Sequence, residues 1–286
     1  MTTSTAYAAR LRRVFDYIEK HLDDELTVER LSEVANFSKF HFHRQFSDYT
    51  GIGVFRYVQL MRLKRASYRL AFNPLDKVID IALEAGFENP ESFSRAFKHI
   101  FGQTPSAFRK SPEWAQWSEH YKLPSGERKH TMEVRIVDFP TTKVAVIEHR
   151  GPPELVNESV SKFIDWRWNT GLSPIATSNS YGVAYDNPET TAPEKFRFDI
   201  CGTVSDDVPE NDYGIVTKAI EGGRCATVRH HGSHARIGES IYPLYREWLP
   251  NSGEELRDFP LYFHYVNLMP ATPEHELITD IYLPLK

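Results

Sequence analysis

One helix-turn-helix pattern is written twice near the start of the chain, about fifty residues apart. Val28, Leu31, Ala35 and Phe37 recur as Val78, Ile81, Ala85 and Phe87, all offset by 50. Phe42, Arg44, Phe46 and Gly51 recur as Phe93, Arg95, Phe97 and Gly102, offset by 51. The one-residue step falls where the second helix of the motif begins, where an insertion disturbs least. Apolar residues recurring at helical spacing require an all-α region over 1–110. An arginine at the same outward position in each copy suggests two reading heads for one DNA duplex.

Local signals place the helices. Tyr7 to Leu22 is amphipathic, with Leu11, Phe15 and Ile18 on one stripe. Thr27 and Ser38 are expected N-caps. Val54 to Leu70 reads as one long helix that sets the distance between the two motifs. Asn89-Pro90-Glu91 combines a capping residue, a proline at the first helical position and an acid favoured by the helix dipole. Gln103-Thr104-Pro105 opens a last short helix ending near Arg109. Ser111 to Thr131 holds Pro112, Pro124, Ser125 and Gly126 without a sustained period, so 111–130 is expected to link two domains, 1–110 and 131–286. Trp114 and Trp117 are expected to pack on one of them.

Charge separates these halves. Residues 1–112 carry 17 Lys and Arg against 13 Asp and Glu; the remainder carries 17 against 26. Between Lys39 and Arg69 stand Lys39, Arg44, Arg56, Arg62, Lys64, Arg65 and Arg69, against Asp48 alone. A basic half suits a polyanion and an acidic half repels one. The sequence has neither an apolar run of spanning length nor a signal-peptide core, so a cytoplasmic protein with no membrane role is expected. Two cysteines, Cys201 and Cys225, cannot build a zinc finger. His230-His231 lacks a third ligand at helical or turn spacing, so no metal site and no cofactor are expected.

From Met132 the texture becomes short β-type segments, repeated at a spacing of 81. Val134-Arg135-Ile136 pairs with Ile215-Val216-Thr217, His149-Arg150-Gly151 with His230-His231-Gly232, and Phe198-Asp199-Ile200 with Thr279-Asp280-Ile281. Each copy reads strand, helix, strand, strand. The fold class is therefore two-domain: an all-α region with two helix-turn-helix motifs joined by a long helix, then an α+β region of two repeats. The groove between the repeats is a natural ligand site.

In such a motif the second helix enters the major groove while its apolar face holds the first. Phe42, Phe46 and Tyr49 should face inward, leaving Lys39, Phe40, His43, Arg44 and Ser47 for DNA. The second copy offers Glu91, Ser92, Ser94, Arg95 and Lys98, with Phe93, Phe97 and Ile100 inward. Arginine suits guanine because its fork matches O6 and N7. Two motifs in one chain make oligomerisation unnecessary for DNA binding, and their different outward residues imply an asymmetric site.

Residues 8–110 resemble the AraC/XylS family of transcription regulators. The resemblance rests on Ser38 to Phe46, on Tyr49-Thr50-Gly51, on Asp80 to Phe87 and Phe93 to Lys98, and on Thr104-Pro105 with Arg109. It implies two recognition helices in successive major grooves and RNA polymerase as a partner, with activation or repression as the outcome. The subgroup most similar to this chain usually has tryptophan at Phe40 and glutamine near Pro90 and Glu91. Residues 131–286 resemble the GyrI-like effector-binding domain of multidrug-sensing regulators, through His149-Arg150-Gly151-Pro152, Arg197 to Cys201 and Thr279 to Pro284. That resemblance implies an acid, usually glutamate, facing a central cavity at the position of Asp280.

The last strand itself puts Ile278, Asp280 and Tyr282 on one face. An acid beside aromatics attracts a lipophilic cation through charge and ring quadrupole. The expected effector-binding set is Asp280, Tyr282, Trp166, Trp168, Tyr185, Phe198 and Phe263, for a small amphipathic or aromatic ligand. Two alternatives are a small-molecule hydrolase using Glu276 or Asp280 with a water, and a partner-docking module. No nucleophile–base pairing demands an enzyme.

Overall fold

A computed structural model describes residues 3–121 and 133–286; the side chains of residues 3–7 and of Phe40 lie outside the described part. The chain forms two compact units, one helical and one built on a sheet.

The helical unit begins with α1 (Thr3–Lys20), whose Leu11, Phe15 and Ile18 are buried as the stripe requires. Helices α2 (Val28–Ala35) and α3 (Lys39–Thr50) form the first motif; α5 (Val78–Glu84) and α6 (Pro90–Phe101) form the second. Helix α4 (Val54–Phe72) joins them, and α7 (Pro105–Lys110) follows. The cap side chains of Thr27, Asn89 and Thr104 accept from the backbone N–H three residues on, at 3.2, 2.8 and 3.2 Å. Ser38 is an N-cap residue by backbone position but makes no side-chain cap bond.

The turn inside each motif needs a left-handed residue. Asn36 supplies it in the first copy (φ 54°) and Gly86 in the second (φ 79°), the residue types that tolerate this region best. The positions are related by the same offset of 50. The core is aromatic: Phe15 meets Phe46 at 5.6 Å between ring centroids, and Phe93 meets Phe97 at 5.5 Å.

The 111–130 stretch, expected as a linker, starts with a further helix, α8 (Trp114–Glu119). Trp114 and Trp117 are buried against Tyr68, Phe72 and Phe108. The helical unit thus extends past residue 110, because two large rings gain more by burial than a solvated linker would retain. Residues 122–130, and the Thr131–Met132 onset expected for the second domain, lie outside the described residues.

The second unit contains one antiparallel sheet: β1 (Arg135–Phe139), β2 (Thr142–Arg150), β3 (Ser180–Ala184), β4 (Arg197–Thr203), β5 (Val216–Ile220), β6 (Gly223–His231), β7 (Leu261–Tyr265) and β8 (Ile278–Pro284). The order across it is β1-β6-β8-β7-β3-β4-β2-β5. Every strand of the first repeat maps onto one of the second at an offset of 81. The first strands are exchanged: β1 pairs with β6 and β5 with β2. Each repeat therefore depends on the other to complete its sheet.

Helices cover one face. From α9 (Val156–Thr170), Phe163 and Trp166 pack on Ala145, Ile147 and Ile200. The matching segment is broken into α10 (Gly238–Pro243), a wider π-type stretch Leu244–Trp248, and α11 (Leu249–Ser252); Leu244 packs on Ala226, Val228 and Ile281. Pro243 lies within this segment, where its missing N–H breaks α-helical bonding.

His149 and His230 are equivalent in the repeat and act alike. Nδ1 meets the hydroxyl of Ser159 at 3.0 Å or Ser240 at 2.9 Å, and Nε2 faces the carbonyls of Gly151 and Pro152, or of Ser233. A carbonyl only accepts, so Nε2 carries a hydrogen in both. The histidines tie strand to helix, which accounts for the repeated His-X-Gly.

Candidate functional site

The two second helices of the motifs present the expected side chains. Lys39, His43 and Arg44 of α3 are exposed and Ser47 is half-buried, with Phe42 and Phe46 buried behind them. On α6, Glu91, Arg95 and Lys98 are exposed, Ser92 and Ser94 half-buried, and Phe93, Phe97 and Ile100 inward. Ser92 is held by its own helix start: its hydroxyl donates to Asn89 O at 2.8 Å. His41 and His99 share the exposed faces and were not among the expected DNA residues; alternation around a helix places them there.

The positive run along α4 does different work from the one its charge suggests. Arg62 donates to Leu22 O at 2.8 Å and Asp24 O at 3.0 Å. Arg65 pairs with Asp23, and Arg69 pairs with Asp76 and Glu84. Lys64 is buried. Of the seven bases between residues 39 and 69, only Lys39, Arg44 and Arg56 are exposed. The others fasten the long helix to loop carbonyls and carboxylates, so net charge overstates the DNA-facing surface.

In the sheet unit, strand parity decides which side chains meet. On the face turned away from the helices lie Glu148, Tyr181, Asp199, Cys201, Lys218, Arg229, Tyr262, His264, Asp280 and Tyr282. Phe198 and Phe263 point to the helix side, with ring centroids 6.3 Å apart. Trp166 is fully buried against Phe163 there, and Trp168 is 63% exposed on α9. The seven residues expected as one effector set therefore do not form one pocket; Asp280 and Tyr282 share the helix-free face, whereas Trp166, Phe198 and Phe263 belong to the core on the other side. The cause is the two-residue period of strands: Phe198 precedes Asp199, so one points away when the other points in.

Tyr185 follows β3 and its hydroxyl donates to Asp199 at 3.0 Å. The Arg150 and Arg197 guanidiniums lie 5.6 and 5.4 Å from its ring centroid, so cations already occupy that ring.

Two acids related by the repeat dominate this face. Asp199, with 2% of its side chain exposed, accepts from Arg150 at 2.9 Å, Lys218 at 2.8 Å and Tyr185. Burial works to lower the Lys218 pKa, but its contacts with Asp199 and Glu148 outweigh this and hold it above the usual value. Asp280, 14% exposed, accepts both arms of the Arg229 fork, Nε at 2.7 Å and Nη2 at 2.8 Å. His264 pairs with Asp280 across β7 and β8; burial pushes its pKa below 6.5, more than the Asp280 charge raises it. Tyr282 meets Phe139 at 5.2 Å and stacks on Tyr262 at 5.1 Å. Burial, and then the Asp280 charge, push its hydroxyl pKa to about 12.

The sequence reading missed Asp199, Arg229, Tyr262 and His264 as site residues. The 81-residue offset already matched Asp199 to Asp280; Arg229 and His264 needed the strand register.

Residues 132–286 match the family described as a GyrI-like small molecule binding domain, and residues 31–111 match a helix-turn-helix domain. The right origin-binding protein of Escherichia coli K12 is 36% identical over 255 residues, spanning 85% of both chains. This chain belongs to the AraC-type transcriptional regulators that carry a GyrI-like domain. The probable transcriptional regulator YgiV of E. coli K12 is 51% identical over 155 residues, 54% of this chain and 97% of that one. A solved EcmrR–DNA complex aligns with 91% of this chain and 98% of its own at 13% identity and a TM-score of 0.46. As an AraC-type member, the chain is a DNA-binding transcriptional regulator, and its GyrI-like domain is a small-molecule-binding one. Among the described residues, no helix is long and apolar enough to cross a membrane.

Proposed function

We propose that this regulator acts in the cytoplasm as a DNA-binding monomer that reads an asymmetric site through α3 and α6, engages RNA polymerase, and is modulated by a small amphipathic effector bound around Asp280 and Tyr282. The carrying observation is that two copies of one scaffold present an exposed arginine at the same position, Arg44 and Arg95, beside different neighbours: exposed His43 in one, half-buried Ser94 and exposed Glu91 in the other. Two adjacent major grooves on one face of DNA are about 34 Å apart, and a chain with two recognition helices has one for each groove. The hydrolase alternative finds less support, since both Asp280 oxygens accept from Arg229 and neither is poised as a base.

Fluorescence anisotropy on promoter fragments tests the reading. Arg44→Ala and Arg95→Ala should each weaken binding and lower the salt dependence by about one unit of log–log slope if the arginine touches phosphate. Unchanged affinity in both, or a minimal site that is palindromic and bound only by dimers, would overturn it.

A further inference from the structure

We propose that Arg229 is a built-in occupant of the effector site: its guanidinium holds Asp280 where a cationic effector would sit, and lipophilic cations bind by exchanging with it. The inference rests on the reading that the effector binds around Asp280.

The repeat supplies an internal comparison. Asp199 and Asp280 are equivalent, yet Asp199 is held by Arg150, Lys218 and Tyr185 from three separate places in the fold. Opening it would require three donors to leave a carboxylate that is 2% exposed. Among the described residues, the hydrogen bonds to the Asp280 carboxylate come from Arg229 alone. One side-chain rotation frees both of its oxygens.

The leaving group has somewhere to go. Arg229 is 46% exposed against 14% for Asp280, so the guanidinium can be rehydrated as it swings out, whereas the carboxylate needs a positive partner once it leaves. An incoming cation restores that charge balance. Its apolar body meets the half-buried ring of Tyr282, which is backed by Phe139 and Tyr262 on the same face, and cations favour such a ring. Affinity is then the difference between the Asp280–ligand and Asp280–Arg229 interactions.

The scaffold does not demand an arginine here. The position matching Arg229 in the first repeat is Glu148, which sits opposite Asp199 in the same register as Arg229 opposite Asp280. Arg229 is therefore particular to Asp280, and it sets how strongly cations are discriminated.

The test uses the full chain and rhodamine 6G, a lipophilic cationic dye, followed by fluorescence polarisation, with circular dichroism to confirm folding. Arg229→Gln should bind the dye roughly tenfold more tightly than the native protein. Adding Asp280→Asn should abolish that gain. Arg229→Lys, which keeps the charge but loses the fork, should fall between, and it decides the matter if the glutamine variant does not fold. Equal, Asp280-dependent affinity in native protein and variants overturns the exchange and leaves the effector site standing. A gain that persists with Asp280→Asn also overturns the exchange. No dye binding by any form overturns the effector-site reading together with it.

Discussion

Gly182 of β3 lies directly opposite Phe263 of β7, and the 81-residue repeat makes these two residues equivalent. The pseudo-twofold relation between the repeats therefore passes through this pair, with Tyr181 and Tyr262, and Asp199 and Asp280, disposed around it. A side chain at Gly182 has no room: a Cβ there would lie 2.5 Å from Phe198 Cζ and 2.6 Å from the Tyr265 hydroxyl. The ring carbon and the hydroxyl oxygen both belong to side chains packed against the core on the helix side. Gly182→Ala should destabilise the GyrI-like domain by about 1–3 kcal/mol through overpacking. Urea denaturation checks this; an unchanged midpoint would mean that the rings yield freely.

Much of this was legible in the sequence, for identifiable reasons. Thr27, Asn89 and Thr104 cap because capping involves neighbours three residues away, and sequence records such neighbours. The 81-residue repeat was visible because both copies kept their strand patterns. What escaped depended on distant partners. Trp114 and Trp117 sit in a stretch rich in turn residues, and the distant rings of Tyr68, Phe72 and Phe108 complete their burial. The exchange of β1 and β5 between repeats leaves no local trace. Arg229 is 51 residues from Asp280, and only register brings them together. The aromatic effector set is different: strand parity puts Phe198 and Asp199 on opposite faces, which aromatic composition alone does not reveal.

The fastening role of Arg62 separates charge from DNA binding. It bridges α4 to the carbonyls of Leu22 and Asp24, and burial first, then Arg65, lower its pKa. Arg62→Met should leave those carbonyls short of a donor and destabilise the helical domain by about 1–3 kcal/mol. The salt slope of DNA binding, measured while the domain remains folded, should stay unchanged despite the lost positive charge. A slope reduced by one would place Arg62 on phosphate.

His264 should tie stability to pH. Its pKa is lowered from 6.5 in the folded state, chiefly by burial. Above pH 6.5 both folded and unfolded forms are mostly neutral here, so the group is silent. As pH falls below 6.5, the unfolded chain takes up the proton first, and stability declines until the folded pKa is passed. His264→Gln should flatten the dependence of Tm on pH in this window relative to the native protein. Parallel curves would remove His264 from the balance.

The thiols of Cys201 and Cys225 should be inert in the folded protein. Both are buried, and burial raises both pKa values; Cys225 also lies 3.3 Å from the Tyr262 hydroxyl. The thiolate is the reactive form, so a disulfide reagent at pH 8 should titrate neither until denaturant is added. Rapid labelling of Cys201 under native conditions would require that the sheet face opens readily, since only opening exposes it.

Glu91 is the most informative single position on the DNA-reading surface. It stands exposed in the first turn of α6, four residues before Arg95 on the same side of the helix. There it stabilises the helix start through the dipole, by about 0.3–1 kcal/mol, but it also carries negative charge toward a phosphate backbone. Glu91→Gln keeps the shape and a hydrogen-bonding end. Affinity for arbitrary DNA should rise severalfold at low salt, with the gain shrinking as salt screens it. Affinity for the specific site should rise less, or fall, if Glu91 accepts from a cytosine amino group. Anisotropy on specific and scrambled duplexes at two salt concentrations separates these terms; equal affinities for native protein and variant throughout would place Glu91 away from the duplex.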